Sequence, residues 1–249
     1  MHTLERHRQD WEELAAADPL WAILASPEGR GGRWDHEQFF ATGEAEIAEV
    51  LGIAQRLGFP QQHERALDFG CGVGRLTRAL AGSFREGVGI DISEEMVRLA
   101  RELNDGRNCR FEVNVRSDLG ALETGSCDFV YSALVLQHMP RKELIKSYVG
   151  EFLRVLRPGG LAVFQTLAHL PLGLRLQPRR RAYALLHRLG VPHDLLLGRL
   201  RLVPTRLTAI SEDDVRSTVT ERGGVVEHVE EYPKRTDGVR SLRYYARTA

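Results

Sequence analysis

The chain predicts an open α/β sheet of seven mostly parallel strands, with helices on both faces and an antiparallel hairpin at its C-terminal edge. Three observations predict it. From Arg65 onward, short apolar runs alternate with amphipathic helical stretches, the βαβα rhythm of a parallel sheet covered on both sides. The first run ends in three glycines at alternate positions, Gly70, Gly72 and Gly74, and opens directly into a helix. The last two runs, Val225 to Tyr232 and Arg240 to Arg247, are separated only by the turn-forming stretch Pro233 to Gly238.

Before the sheet, Leu4, Trp11 and Leu14 fall at helical spacing, Asp18-Pro19 breaks the pattern, and Trp21 and Leu24 resume it. A second helix is expected from about Asp35 through Phe39, Phe40, Ile47, Val50, Leu51 and Ile53, ending before Gly58 and Pro60. Strands are expected at Arg65 to Phe69, Glu86 to Ile90, Cys109 to Val115, Cys127 to Ala133 and Leu161 to Leu167. Helices are expected at Arg75 to Gly82, Ser93 to Asn104 and Lys142 to Leu156, the last stopped by Pro158-Gly159-Gly160. Ser211 followed by Asp214 is a capping signature that starts a helix through about Arg222. The pattern divides one domain, 1–249, into a helical lid segment (1–60), a core (61–167), an arginine- and leucine-rich insertion (168–210) and a terminal helix with its hairpin (211–249).

A chain of 249 residues, 43% hydrophobic, suffices for one such domain and is short for two. Its formal net charge is zero, so the molecule as a whole offers no electrostatic case for nucleic acid or an anionic surface. The first 21 residues, MHTLERHRQDWEELAAADPLW, are charged and lack an apolar core, which argues against a secretion signal or membrane anchor and makes the cytoplasm the expected compartment. Cys71, Cys109 and Cys127 lie far apart, with no C-x-x-C pair to suggest a disulfide framework or zinc site.

The stretch RALDFGCGVGRLTRAL carries the chemistry. Glycines let the main chain bend sharply and approach a ligand where a Cβ would collide. Asp68, just before them, would repel a pyrophosphate and suits a ligand with a cationic end such as an amino group. The spacing D-x-G-x-G-x-G resembles motif I of the class I S-adenosylmethionine-dependent methyltransferases, of the bacterial small-molecule type. CDFVYSALVLQHMP resembles that family's fourth-strand motif and LRVLRPGGLAVFQT the segment entering its fifth strand, so the resemblance spans Arg65 to Thr166.

The resemblance implies a Rossmann-like sheet and S-adenosylmethionine as cofactor, released as S-adenosylhomocysteine. It places Asp68, Gly70, Cys71, Gly72, Gly74 and Arg75 at the cofactor, with Asp91 on the ribose hydroxyls, Ile92 by the adenine, and Ser93 and Met96 following. The competing role for Asp91 or Ser93 is a helix N-cap. After the third strand the chain reads FEVNVRSDL, departing from the acid common at that place, and either Asn114 or Asp118 could serve. Leu134 and Gln137 follow the fourth strand, and RWDHEQFFATG resembles the segment preceding motif I, which brings Phe40 and Gly43 toward the methionine end. No metal is implied.

Methyl transfer asks the protein to align donor and acceptor, exclude water and, for a hydroxyl acceptor, remove a proton. His138 is the candidate catalytic base, since it follows the fourth strand and titrates near neutrality. The insertion holds Arg175, Arg179, Arg180, Arg181, Arg188, Arg199, Arg201 and Arg206 against one acid, Asp194, interleaved with leucines. It reads as a cap for an acidic or amphipathic small-molecule acceptor, as a helical pair with solvated arginines, or as a surface for membrane contact. O-methylation of a small molecule is favoured. The alternatives are a nucleic-acid methyltransferase, disfavoured because Ser132-Ala133-Leu134-Val135 stands where base-amine enzymes carry Asn/Asp-Pro-Pro-aromatic, and a non-catalytic cofactor-binding subunit, with oligomerisation open.

Overall fold

The structure is a computed structural model and describes all residues except 1, 27–28, 193–194 and 234–235. In chain order the helices are α1 (His2–Ala17), α2 (Pro19–Ile23), α3 (His36–Arg56), α4 (Arg75–Ala81), α5 (Glu94–Leu103), α6 (Lys142–Val155), α7 (Leu172–Arg175), α8 (Pro178–Arg188) and α9 (Glu212–Glu221). The strands are β1 (Arg65–Phe69), β2 (Glu86–Asp91), β3 (Cys109–Val113), β4 (Cys127–Ser132), β5 (Leu156–His169), β6 (Gly224–Glu231) and β7 (Arg240–Thr248). Their order in the sheet is β3-β2-β1-β4-β5-β7-β6, with β7 antiparallel to both β5 and β6. The seven-stranded sheet and its C-terminal hairpin are thus as the sequence predicts.

Strand alternation sorts the core. Leu67 and Phe69 face one side, where they join Phe152 and Tyr148 of α6, Val215 of α9 and Tyr244. Ala66 faces the other, with Val50 and Ala54 of α3, Leu80 of α4, Phe129 and Tyr131. Local signals set the helix starts: the Asp35 carboxylate accepts the Gln38 N–H at 2.9 Å to begin α3, and Ser211 accepts the Asp214 N–H at 3.2 Å to begin α9. Along α5, Met96, Val97 and Ala100 are buried while Arg98 pairs outward with Glu95 and Glu102.

Several boundaries shift from the sequence expectation, and two of the shifts have a visible cause. β3 stops at Val113, because Asn114 turns the chain by accepting the Arg116 N–H with its side chain. β5 begins at Leu156, five residues early, and carries Pro158-Gly159-Gly160 within it. The reason is pairing: Leu156 sits beside Cys127, and a register shift then absorbs the irregular segment before Leu161 meets Phe129.

Asp128 clasps the bottom of the sheet. Its Oδ2 accepts the N–H groups of Glu64 and Arg65, each at 2.8 Å, and its Oδ1 accepts Arg157 Nη1 at 3.0 Å. Asp128→Ala removes a buried acceptor from three partly exposed donors and is expected to cost about 1–2 kcal/mol, to be read as a lower denaturation midpoint at unchanged slope.

The insertion is ordered as α7, α8 and a π-helical turn, Leu195–Arg199. Tyr183, Leu196 and Leu197 from it bury against Leu14 of α1, with Trp11 and Leu186 packed alongside. Lid segment and insertion therefore form one roof. Among the described residues no helix is long and apolar enough to cross a membrane.

Candidate active site

Under that roof, at the C-terminal ends of β1, β2 and β4, lies a cavity of about 650 Å³. The size is that of a site for a ligand of nucleoside scale. Its floor is the glycine turn. Gly70 and Cys71 donate their N–H groups to the Ile90 carbonyl at 2.7 and 3.1 Å, which ties the turn to β2. Gly70 has φ +78° and a Cβ there would collide with Val135; Gly72 has φ +52° and a Cβ would collide with Ile23. Glycine is required at both places by conformation and by space.

Asp91 ends β2 on the cavity wall and is fixed by the same turn. Its Oδ2 accepts Gly72 N–H at 2.8 Å and its Oδ1 accepts Ser93 N–H at 2.9 Å. Each oxygen keeps a further lone pair for a ligand. Burial raises the Asp91 carboxyl above its usual value, while the N–H groups of Ser93, Gly72 and Ile92 hold it down.

The cavity is lined by eleven of the residues expected from the sequence. Gly70, Cys71, Gly72 and Arg75 come from the turn, Asp91, Ile92 and Met96 from the end of β2 and start of α5, Asn114 from the end of β3, and Leu134, Gln137 and His138 from the loop after β4. Leu134 holds φ +62°, uncommon for a branched residue, with its N–H donated to Gln165 Oε1 at 3.0 Å. Arg75 lies almost wholly buried, ion-paired to Glu46 at 2.8 Å.

Six expected residues lie elsewhere. Asp68 does not line the cavity; strand alternation turns it to the Ala66 side, where its Oδ2 accepts the Thr77 hydroxyl at 2.6 Å and its Oδ1 has no hydrogen-bond partner. Gly74 is the left-handed N-cap of α4 and faces Asn104 and Phe111. Ser93 is the N-cap of α5, accepting Met96 N–H at 3.1 Å. Asp118 is half-buried outside the cavity and closes a local turn through Gly120 N–H and Arg116. Phe40 packs on Phe39 beneath the Arg78 guanidinium, 4.5 Å from the ring, and Gly43 gives the Arg75 main chain room against α3. The segment before motif I therefore braces the turn from behind.

Burial pushes the Asp68 carboxyl up to about 7. The native state then holds a proton that the unfolded chain has released from about pH 4, so this group withdraws stability as pH rises from 4 toward 7. Asp68→Asn is expected to remove that loss, on the order of 2–4 kcal/mol, so that the variant gains on the wild type between pH 5 and pH 8 in thermal melts.

α1, expected as part of the lid segment, also supplies a residue that the sequence reading passes over, His7. Leu4, His7, Trp11 and Leu14, spaced 3-4-3, form one stripe and all line the cavity. The available signal was a histidine set inside an otherwise apolar stripe. Glu12 on the same helix docks α1 by capping α5: its carboxylate accepts Glu94 N–H at 2.7 Å, the Ser93 hydroxyl at 2.8 Å and Glu95 N–H at 3.3 Å. From α2 and the loop beyond it, Trp21 and Trp34 add aromatic walls.

His138 is oriented from behind. Its Nδ1 stands 2.8 Å from the Arg206 carbonyl, an acceptor only, so Nδ1 carries the proton and Nε2 carries the lone pair, toward which Gln137 Nε2 lies at 3.1 Å. Burial lowers the imidazole pKa and keeps it neutral. Trp11 stands edge-on to His138, ring centroids 5.4 Å apart, and edge-on to His7 at 6.2 Å. His7 is pushed down to about 4 by burial first and then by the neighbouring His138 and Arg206.

Residues 67–164 match the family model described as a methyltransferase domain. A ubiquinone biosynthesis O-methyltransferase of Bordetella avium is 31% identical over 140 residues, covering 55% of this chain and 57% of that protein. The enzyme of the same name from Idiomarina loihiensis is 32% identical over 120 residues, covering 45% and 48%. The chain thus matches about half the length of these curated relatives. Among solved structures, a Synechocystis magnesium protoporphyrin IX methyltransferase with bound S-adenosylhomocysteine shares the fold at TM-score 0.57 and 23% identity, over 91% of this chain and 92% of that one. A Leishmania major S-adenosylmethionine-dependent methyltransferase shares it at TM-score 0.61 and 14% identity, over 98% and 82%. The glycine turn, the acid closing β2 and this strand order accompany that match, residues 67–164 of the chain carrying the methyltransferase-domain model.

Proposed function

We propose that the chain transfers the methyl group of S-adenosylmethionine to a hydroxyl oxygen on a small acceptor that combines an apolar, aromatic body with a polar end. The observation that carries this reading is one cavity lined by both the glycine turn with Asp91 and the oriented, neutral imidazole of His138.

The residues present fit the cofactor. Asp91 retains lone pairs for ribose hydroxyls, Ile92 and Met96 offer apolar surface for the adenine, and the turn's glycines leave room for close approach. Asn114 is the residue after the third strand that meets the cavity, although its side-chain amide also serves the local turn by donating to the Asp118 carbonyl at 2.8 Å. When bound, S-adenosylmethionine supplies an electrophilic methyl on a sulfonium sulfur, open to in-line displacement. With the acceptor hydroxyl in place of the Gln137 amide, His138 Nε2 takes the acceptor's proton, and the Arg206 carbonyl, holding Nδ1–H, steadies the imidazolium that results. The roof of α1 and α2 excludes water.

Oxygen is favoured over nitrogen because a neutral hydroxyl needs a base whereas an amine brings its own lone pair. Trp11, Trp21, Trp34, Phe69 and Tyr148 suit a planar acceptor. The insertion's arginines do not line the cavity: Arg206 donates to the Pro140 carbonyl and Arg180 to the Pro204 carbonyl. An amphipathic acceptor is therefore preferred over an acidic one. All three cysteines are free, which suits the reducing cytoplasm.

Incubation with isotopically labelled S-adenosylmethionine and a panel of phenols or a metabolite extract, read by mass spectrometry, is expected to yield O-methylated products. Binding of S-adenosylhomocysteine weaker than millimolar in calorimetry overturns the reading. Tight binding without label transfer to any acceptor would assign the chain to a cofactor-binding subunit.

A further inference from the structure

The surface of the insertion differs from the rest of the molecule. Of the ten exposed large hydrophobic side chains among the described residues, seven fall between 172 and 200, with Leu172 and Leu189 each 71% exposed and Leu185 60%. The same stretch exposes Arg175, Arg179, Arg181, Arg188, Arg199 and Arg201, none of them ion-paired with a described residue. The net charge of the whole chain is zero, so this local cationic excess is balanced by acids elsewhere in the chain.

α8 shows how the face is built. Tyr183 and Leu186 turn inward to the roof cluster with Leu14 and Trp11, and Arg180 on that side is spent on the Pro204 carbonyl. The opposite stripe, at i, i+4, i+7 and i+8, carries Arg181, Leu185, Arg188 and Leu189, all exposed. A face meant for water would not present leucines of this exposure, and a face meant for a protein core would not present free guanidinium groups. A second copy docked by the same face would set arginine against arginine.

We propose that the outer face of α7, α8 and the π-helical turn docks this protein on an anionic lipid bilayer. The leucines enter the headgroup–acyl boundary and the guanidinium groups engage lipid phosphates, which they match by fork geometry. The inference goes beyond methyl transfer and stands without it. Its consequence for the site is direct: the insertion also lines the cavity through Val203 and Thr205, so docking brings the cavity's roof to the lipid surface, where an apolar acceptor concentrates.

The test is co-sedimentation of the full chain with vesicles of phosphatidylcholine alone and of equimolar phosphatidylcholine and phosphatidylglycerol. Binding is expected to the mixed vesicles, to weaken with salt, and to be at least about tenfold poorer on phosphatidylcholine alone. Leu185→Asp with Leu189→Asp, and separately Arg181→Gln with Arg188→Gln, should each lower partitioning by about tenfold or more at unchanged melting temperature and S-adenosylhomocysteine affinity. No binding to the mixed vesicles, or variants that bind as the wild type does, overturns the proposal. A concentration-dependent dimer that the leucine variants abolish would overturn it in favour of a second copy of the chain. Because S-adenosylhomocysteine affinity is read separately, failure here leaves the methyl-transfer reading to its own test.

Discussion

Asp91→Ala is expected to weaken S-adenosylhomocysteine binding by about two orders of magnitude or more, measured by calorimetry, the loss of charge-assisted hydrogen bonds to two ribose hydroxyls. The effect is compounded on the protein side. The Gly72 and Ser93 N–H groups both point at this carboxylate, so removing it frees the glycine turn from β2 and leaves two donors without an acceptor. Asp91→Asn separates charge from geometry. Both carboxylate oxygens accept from N–H groups, and a carboxamide must set its own NH2 against one of them. Asparagine is therefore expected to recover little of the lost affinity. Affinity retained in both variants would remove Asp91 from the cofactor site.

Once an acceptor is identified, His138→Ala is expected to lower kcat by about 10²- to 10⁴-fold, the usual yield of a positioned base, with S-adenosylhomocysteine affinity nearly unchanged. The pH profile supplies the stricter check. A base must be unprotonated, and burial lowers the His138 pKa, so the wild-type rate should fall only as pH drops below 6.5 and stay level through neutrality. The variant should lose that acid limb altogether. An identical limb in the variant would transfer the role to another group; His7, pushed down to about 4, would place its own limb there.

The sheet was legible because its strands are continuous apolar runs, a pattern that burial on both faces imposes on the core strands and that needs no knowledge of distant contacts. The turn was legible for the same local reason: three glycines answer to main-chain conformation. What the sequence could not convey was the side to which a residue points. Asp68 occupies a motif position beside the ligand, yet its place in the β1 alternation sends the carboxylate to Thr77. Phe40 and Gly43 carry a motif likeness too, but their environment is decided by how α3 crosses α4, a tertiary matter. The stripe of α1 was half visible. Its tryptophan and leucines were read as a helical stripe of the lid segment, whereas His7, which lies in the same stripe, was overlooked as one polar residue in a charged segment. The insertion resisted reading because leucine, arginine and proline together fit several short helices equally well.

The Glu12 carboxylate gives the site a discrete clasp. It accepts from three donors at the start of α5, two residues beyond the acid that closes β2, so swinging α1 aside strips all three in a single event. The start of α5 and the roof of the cavity are thereby tied to one carboxylate, which joins the lid segment to the strand end that carries Asp91.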